Sequence, residues 1–137
     1  MIRIATYASV VALAAFSTMP ASAQLRDAAP EHVEAITVRL SNFAFTPDHL
    51  RLKVGIPVRL KLVNESGGKH DFSAPKFFAA SEILPGSFLF SNGEIDLRSH
   101  QTVELTVVPH VPGTYRLECT HFLHSFFGMH GTIDVVP

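Results

Sequence analysis

Hydrophobic and polar residues alternate along several short segments of the chain. Between residues 36 and 41, for example, Ile36, Val38 and Leu40 alternate with Thr37, Arg39 and Ser41. The same period of two recurs in segments 50–54, 58–62, 103–107 and 133–135. This period is typical of a strand with one buried face. Because proline or glycine stands in many of the connections, the pattern favours a β-sandwich of about seven strands.

The region from residue 73 to residue 99 is less regular. Within it, "APKFFAASEIL" predicts one or two turns of helix, and "PGSFLFSNGEIDL" predicts a further short strand. We therefore expect a short helix or an irregular segment near 75–90.

The N-terminus has the features of a secretory signal peptide. Arg3 is followed by a short apolar stretch and by the small residues "ASA", which end at Ala23. The apolar stretch is too short to span a membrane. We predict a signal peptide over 1–23, a polar lead-in over 24–34 and a single domain over 35–137. Export would place the protein in the periplasm.

Composition excludes some classes of partner. Without Arg3, the mature chain carries ten Lys and Arg residues against twelve Asp and Glu residues, a net charge of −2 with histidines neutral. Nothing in this charge balance indicates nucleic acid or anionic lipid. No second hydrophobic stretch predicts a membrane span, and we expect a monomer.

Cys119 is the only cysteine in the chain. An unpaired thiol in an exported protein implies an intermolecular disulfide, a reactive nucleophile, a metal ligand or a small buried side chain. The neighbouring residues have to decide between these alternatives.

Those neighbours are rich in metal ligands. In "CTHFLHSFFGMHG", His124 follows Cys119 by five positions and Met129 follows His124 by five. The inward spacing of Tyr115, Leu117 and Cys119 predicts that Cys119 lies at the end of a strand, and "HGTIDVV" resumes as the last strand. A thiolate, an imidazole and a thioether on one connecting loop suit copper. His70, in "GGKHDF", is the candidate for a second imidazole.

The segments "PGTYRLECTHFLHSFFGMHGTIDVV" and "KHDF" resemble cupredoxins of the pseudoazurin, plastocyanin and amicyanin kind. The resemblance implies an all-β Greek-key sandwich and a type 1 (blue) copper site, with one ion that alternates between Cu(I) and Cu(II). It implies that His70, Cys119, His124 and Met129 are the ligands. The implied function is one-electron transfer between redox proteins, without enzymatic activity. Partners would dock at an apolar patch around His124. Phe122, Leu123, Phe126 and Phe127 could belong to the core, but some of them would form this patch if the loop lies at one pole of the sandwich.

Two positions depart from the pattern of the resemblance. Asp71 stands where many relatives have asparagine, and we expect its carboxylate to accept a hydrogen bond from the hydroxyl or backbone N–H of Thr120. His121 competes with His124 as a ligand. The spacing from Cys119 and Met129 favours His124, which leaves His121 near the solvent or in an auxiliary metal contact.

Two other functions use the same residues. A periplasmic copper carrier or buffer would need the same ligand set and would release the ion to a modest chelator. A cysteine-dependent hydrolase would activate Cys119 with a nearby imidazole. The sequence has no obvious oxyanion-hole motif, and an inward thiol at a strand end is poorly exposed for attack.

Overall fold

The computed structural model describes residues 33–87, 92–121 and 127–137. Within these ranges the chain forms ten strands and one short helix. In chain order they are β1 (Glu34–Ser41), β2 (Ala44–Thr46), β3 (His49–Lys53), β4 (Val58–Asn64), β5 (His70–Ser73), α1 (Pro75–Ala79), β6 (Ser81–Ile83), β7 (Glu94–Leu97), β8 (Thr102–Pro109), β9 (Gly113–Glu118) and β10 (His130–Val136).

The strands form two sheets of five. The first sheet has the order β2-β1-β4-β8-β6, and the second has the order β3-β10-β9-β5-β7. The predicted all-β sandwich is confirmed. The described residues hold more strands than the seven expected, because short strands such as β2, β5, β6 and β7 join the longer ones.

The first sheet is built from the clearest alternation in the sequence. Strands β1 and β4 pair in parallel, and β4 and β8 pair antiparallel. Leu60 lies opposite Leu105 in this register, and both side chains are buried while Arg59 and Lys61 are exposed. Each fully buried leucine contributes about 1.5–3 kcal/mol through removal of apolar surface from water.

In the second sheet, β10 pairs in parallel with β3 and antiparallel with β9. The side chains of Leu117, Ile133 and Val135 are buried in the core, as the alternation predicts. Strand β5 lies between β9 and β7, and all four of its residues are buried.

Helix α1 confirms the predicted helical turns. Its first residue is Pro75, whose fixed φ and missing N–H suit the start of a helix. Phe77 and Phe78 are buried, and the Phe78 ring lies 6.1 Å from that of Phe72 in β5. The helix thus covers part of the core next to the strand that carries His70.

Asn64 fixes the connection that delivers β5. This side chain is buried, and its amide donates hydrogen bonds to the carbonyls of Gly68 (2.8 Å) and Arg98 (2.9 Å). Its Oδ1 accepts from the backbone N–H of Ser66 at 2.9 Å. These hydrogen bonds hold the turn before β5 against the residues that follow β7.

Strand β1 begins at Glu34, one residue inside the predicted lead-in. The predicted signal peptide, 1–23, lies outside the described residues, so its assignment stays a prediction. In the part of the chain that the structure describes, no helix has the length and apolar character needed to cross a membrane.

Candidate metal centre

Backbone pairing brings the two ligand segments together at one end of the second sheet. Ser73 of β5 pairs with Glu118 of β9, and Cys119 follows directly. The backbone N–H of Cys119 donates to the carbonyl of Met129 at 3.1 Å, which closes the base of the loop before β10. Cys119 therefore lies at the inner end of its strand, as the sequence predicts.

His70 and Cys119 meet in the interior. Nδ1 of His70 lies 3.8 Å from Sγ of Cys119, although the two residues are 49 positions apart. Two ligand atoms bound to one ion at about 2.0 and 2.3 Å would be separated by about 3.5–3.7 Å in tetrahedral or trigonal geometry. The observed separation therefore fits a shared metal with only a small adjustment.

Of the two remaining predicted ligands, the structure describes one, Met129. The side chain of Met129 is fully buried, and its carbonyl bond to Cys119 holds it beside the thiol segment. His124 lies outside the described residues, as do Phe122 and Phe126. The structure thus brings His70 close to Cys119 and bonds the backbone of Cys119 to that of Met129, and the ligand roles of all four residues stay predictions.

The thiol of Cys119 is protonated at neutral pH in the absence of a metal. Burial raises the pKa of Cys119 to about 11, and the nearby Asp71 carboxylate acts in the same direction. Backbone hydrogen bonds from Asp71 and His121 to the sulfur oppose this rise. The N–H of Asp71 lies 3.5 Å from Sγ. These donors are placed to stabilise a thiolate once a cation compensates for burial.

Asp71 links the two ligand segments as expected. Its carboxylate accepts from the backbone N–H of Thr120 at 2.8 Å and from the Thr120 hydroxyl at 2.9 Å. The side chain of Asp71 is only 1% exposed, so these bonds compensate for burying its charge. Both bonds considered from the sequence, to the hydroxyl and to the N–H, are present.

Comparison with known proteins identifies the family of this chain. The family model described as a cupredoxin-like domain matches residues 8–135. The chain belongs to the cupredoxin family. Cupredoxins bind copper, and the side-chain types of the predicted ligands, imidazole, thiol and thioether, suit that metal.

Individual cupredoxins and related proteins support the same assignment. The chain is 32% identical over 99 residues to plastocyanin of Dryopteris crassirhizoma, which covers 70% of this chain and 91% of that protein. Reduced auracyanin of Roseiflexus castenholzii matches with a TM-score of 0.59 at 19% identity, over 75% of this chain and 97% of auracyanin. The multicopper oxidase McoA of Aquifex aeolicus matches with a TM-score of 0.61 at 15% identity, over 78% of this chain and 30% of the oxidase. At these identities the structural likenesses show the fold.

In this cupredoxin His121 does not simply extend into solvent. Its side chain is partly exposed, and Nε2 lies 3.9 Å from Oδ2 of Asp71. The imidazole of His121 thus lies near the carboxylate of Asp71, whereas the backbone N–H of His121 donates to the sulfur of Cys119.

The sequence pattern does not predict the position of Phe43, an aromatic residue that contacts the segment between Cys119 and Met129. Phe43, in the turn between β1 and β2, contacts Phe127 with ring centroids 5.4 Å apart. Phe43 is 43% exposed and Phe127 is 58% exposed, and Phe43 has a positive φ of 63°. A bulky residue in this left-handed region is uncommon, and such backbone conformations are often found at functional sites. The sequence signal was a phenylalanine in a two-residue turn, where polar residues or glycine are usual.

Proposed function

We propose that this cupredoxin is an exported type 1 copper protein that carries single electrons between redox partners. In this proposal His70, Cys119, His124 and Met129 hold the metal. The observation that carries it is the 3.8 Å approach of His70 Nδ1 to Cys119 Sγ in a buried pocket. Copper bound there would supply a one-electron change between Cu(I) and Cu(II).

The chain supports this role by fixing its donor atoms before a metal binds. His70 belongs to β5 and pairs with Leu97 of β7, and Cys119 is bonded through its N–H to Met129. The backbone hydrogen bonds hold the main chain of both residues, and the burial of both side chains limits the conformations that they can adopt. Burial of both side chains also keeps water away from the donor atoms. A rigid, dry site suits electron transfer, which requires little movement of atoms.

The state of Cys119 argues against a hydrolase. A catalytic cysteine has to be accessible and to ionise near neutral pH. Cys119 is fully buried, and its pKa is raised to about 11. The thiol is therefore suited to metal ligation, in which a cation compensates for deprotonation, and not to attack on a substrate.

We also propose that redox partners dock on the aromatic surface that includes Phe43 and Phe127. Exposed aromatic side chains favour association because they lose water on contact. Phe127 lies two residues before the proposed ligand Met129, so a partner on this surface would lie close to the metal pocket. The rest of the predicted patch, Phe122 and Phe126, lies outside the described residues.

Copper loading of the mature protein tests the central proposal. Addition of Cu(II) should produce an intense visible band from thiolate-to-copper charge transfer, and Cys119→Ser should abolish it. The electron paramagnetic resonance spectrum of the same sample reports the ligand geometry. A pale solution with a spectrum typical of nitrogen and oxygen ligands alone would rule out Cys119 as a ligand.

Substitution of the two competing histidines tests the remaining imidazole. His124→Ala should abolish the band, whereas His121→Ala should leave it in place. The opposite pattern would assign the ligand role to His121. Met129→Leu should retain copper but raise the reduction potential, because a weak axial donor that stabilises Cu(II) is removed.

Export is tested separately. The mature protein recovered from cells should begin near Gln24, as measured by mass spectrometry of the intact chain. Recovery of a chain that retains residues 1–23 in the cytoplasm would contradict the export proposal without affecting the metal site.

A further inference from the structure

A second group of metal-ligand side chains lies beside the proposed copper pocket. Asp71 and Asp96 stand directly opposite each other on the antiparallel strands β5 and β7. One carboxylate oxygen from each and one ring nitrogen of His121 lie within 4.8 Å of one another. The cluster therefore combines three potential ligands that come from three separate parts of the chain.

The two aspartates of this cluster lie opposite each other without a close lysine or arginine partner among the described residues. Like charges directly opposite on neighbouring strands destabilise a sheet. Among the described residues, neither Asp71 nor Asp96 forms an ion pair with lysine or arginine, and the contact of Asp71 with His121 is a long one at 3.9 Å. Glu94, two positions before Asp96, adds a third carboxylate to the same surface. Its pKa is raised, first by burial and then by Asp71 and Asp96.

The cluster combines a fixed ligand with two accessible ones. Asp71 is buried and is held by the N–H and hydroxyl of Thr120, as metal-ligating carboxylates usually are by neighbouring donors. Asp96 is exposed and His121 is partly exposed, so a cation can enter from solvent and keep water in its remaining positions. Both residues line an open cleft that also contains Lys69 and Arg98, and His70 of the proposed copper pocket borders the same cleft.

We propose that Asp71, Asp96 and His121 form an outer binding site for a divalent transition-metal cation such as Zn²⁺, separate from the pocket of His70 and Cys119. An imidazole with two carboxylates suits zinc and similar ions, whereas magnesium and calcium prefer oxygen ligands alone. Neutralisation of the opposed carboxylates supplies part of the driving force.

The outer site is coupled to the thiol because Asp71 belongs to both surroundings. Oδ2 of Asp71 lies 3.8 Å from Sγ of Cys119 and 3.9 Å from Nε2 of His121. A cation on this carboxylate would reduce the negative potential at the sulfur. Occupation of the outer site should therefore shift the thiolate-to-copper band without removing it.

Calorimetric titration of copper-loaded protein with Zn²⁺ tests the proposal. The wild type should bind one equivalent while retaining its copper. Asp96→Asn and His121→Gln should each lower the Zn²⁺ affinity at least about tenfold, as expected for loss of a ligand. Asp134→Asn is the matched control, since it removes a carboxylate that lies 2.8 Å from the ring of His49 on the same sheet. It should leave the Zn²⁺ affinity of the outer site unchanged.

The same titration in a Cys119→Ser background separates this proposal from the assignment of the copper pocket. The outer site should still bind Zn²⁺ there, and Asp96→Asn should again weaken binding. Nuclear magnetic resonance signals of the His121 ring should move on Zn²⁺ addition. Unchanged affinity in Asp96→Asn and His121→Gln would overturn the proposal. An equal loss in Asp134→Asn, or loss of the copper band on Zn²⁺ addition, would overturn it as well.

Discussion

Strands β4 and β5, one from each sheet of this cupredoxin, bury different kinds of side chain. In the central strand of the first sheet, β4, apolar residues from Val58 to Leu62 are buried at every second position, and Arg59 and Lys61 between them face solvent. In β5 of the second sheet, all four side chains are buried, and His70, Asp71 and Ser73 are polar. Strand β4 thus gains stability by removing apolar surface from water, whereas β5 buries groups whose desolvation costs free energy.

The cost in β5 is offset by specific partners from the loop after β9. Thr120 donates two hydrogen bonds to the Asp71 carboxylate, and the N–H of Asp71 is directed at the sulfur of Cys119. One part of the domain is therefore stabilised by packing, which tolerates apolar substitutions that conserve volume. The other depends on particular donors and acceptors, and these are the groups that surround the proposed metal.

The largest expected effect on stability comes from the packed sheet. Leu60→Ala should lower the free energy of unfolding by about 2–5 kcal/mol, because it removes a fully buried side chain from the centre of the core. Urea denaturation measures the change, with Arg59→Ala, exposed on the same strand, as the control. The copper spectrum of folded Leu60→Ala should match that of the wild type. Loss of the visible band in the folded variant would show that the two sheets do not divide their roles as described.

A smaller effect on the free energy of unfolding is expected at Cys119, which follows β9 of the second sheet, and this effect depends on pH. In the apoprotein the pKa of Cys119 is raised from an ordinary value of 9.0 to about 11, so the unfolded chain loses this proton at lower pH than the native state. The contribution of the protonated thiol to the free energy of unfolding is therefore complete below about pH 9. It falls by about 1–3 kcal/mol as the pH rises towards 11. Denaturation of the apoprotein at pH 8, 9, 10 and 11, compared with Cys119→Ala, measures it. Parallel curves for the two proteins would contradict the assigned pKa.

The same division explains which features of the fold were predictable from sequence. Strands such as β1, β4 and β8 were predicted because one buried face leaves a period of two in the sequence. Strand β5 left no such signal, since "HDFS" is short, is buried on both faces and is mostly polar. Its assignment to the site came from His70 alone. The segment "APKFFAASEIL" predicts one or two turns of helix, and the helix occupies Pro75–Ala79.

The candidate site divides in a similar way. Cys119 and Met129 are close because one loop joins two adjacent strands, and the spacing in the sequence was enough to predict this. The approach of His70 depends on pairing between distant strands. The sequence alone makes His70 a candidate for the second imidazole, and the family resemblance implies its place beside Cys119. Asp96 and Phe43 were missed because their neighbours are set by cross-strand register and by a turn with positive φ, which local pattern does not specify.

The smallest predicted effect tests whether the polar partners in β5 act as described. Thr120→Val removes the hydroxyl that donates to Asp71 at 2.9 Å but keeps the backbone N–H that donates at 2.8 Å. A hydrogen bond to a buried charge contributes about 1.5–3 kcal/mol, and the retained donor should limit the loss to about 1 kcal/mol. Thr114→Val is the matched control, because its hydroxyl donates to the exposed carboxylate of Asp134. Urea denaturation should show a larger loss for Thr120→Val than for Thr114→Val, since water replaces a lost donor less readily at Asp71, which is 1% exposed, than at the carboxylate of Asp134. Equal losses in the two variants would mean that burial of Asp71 does not make its partners more important than those of a surface carboxylate.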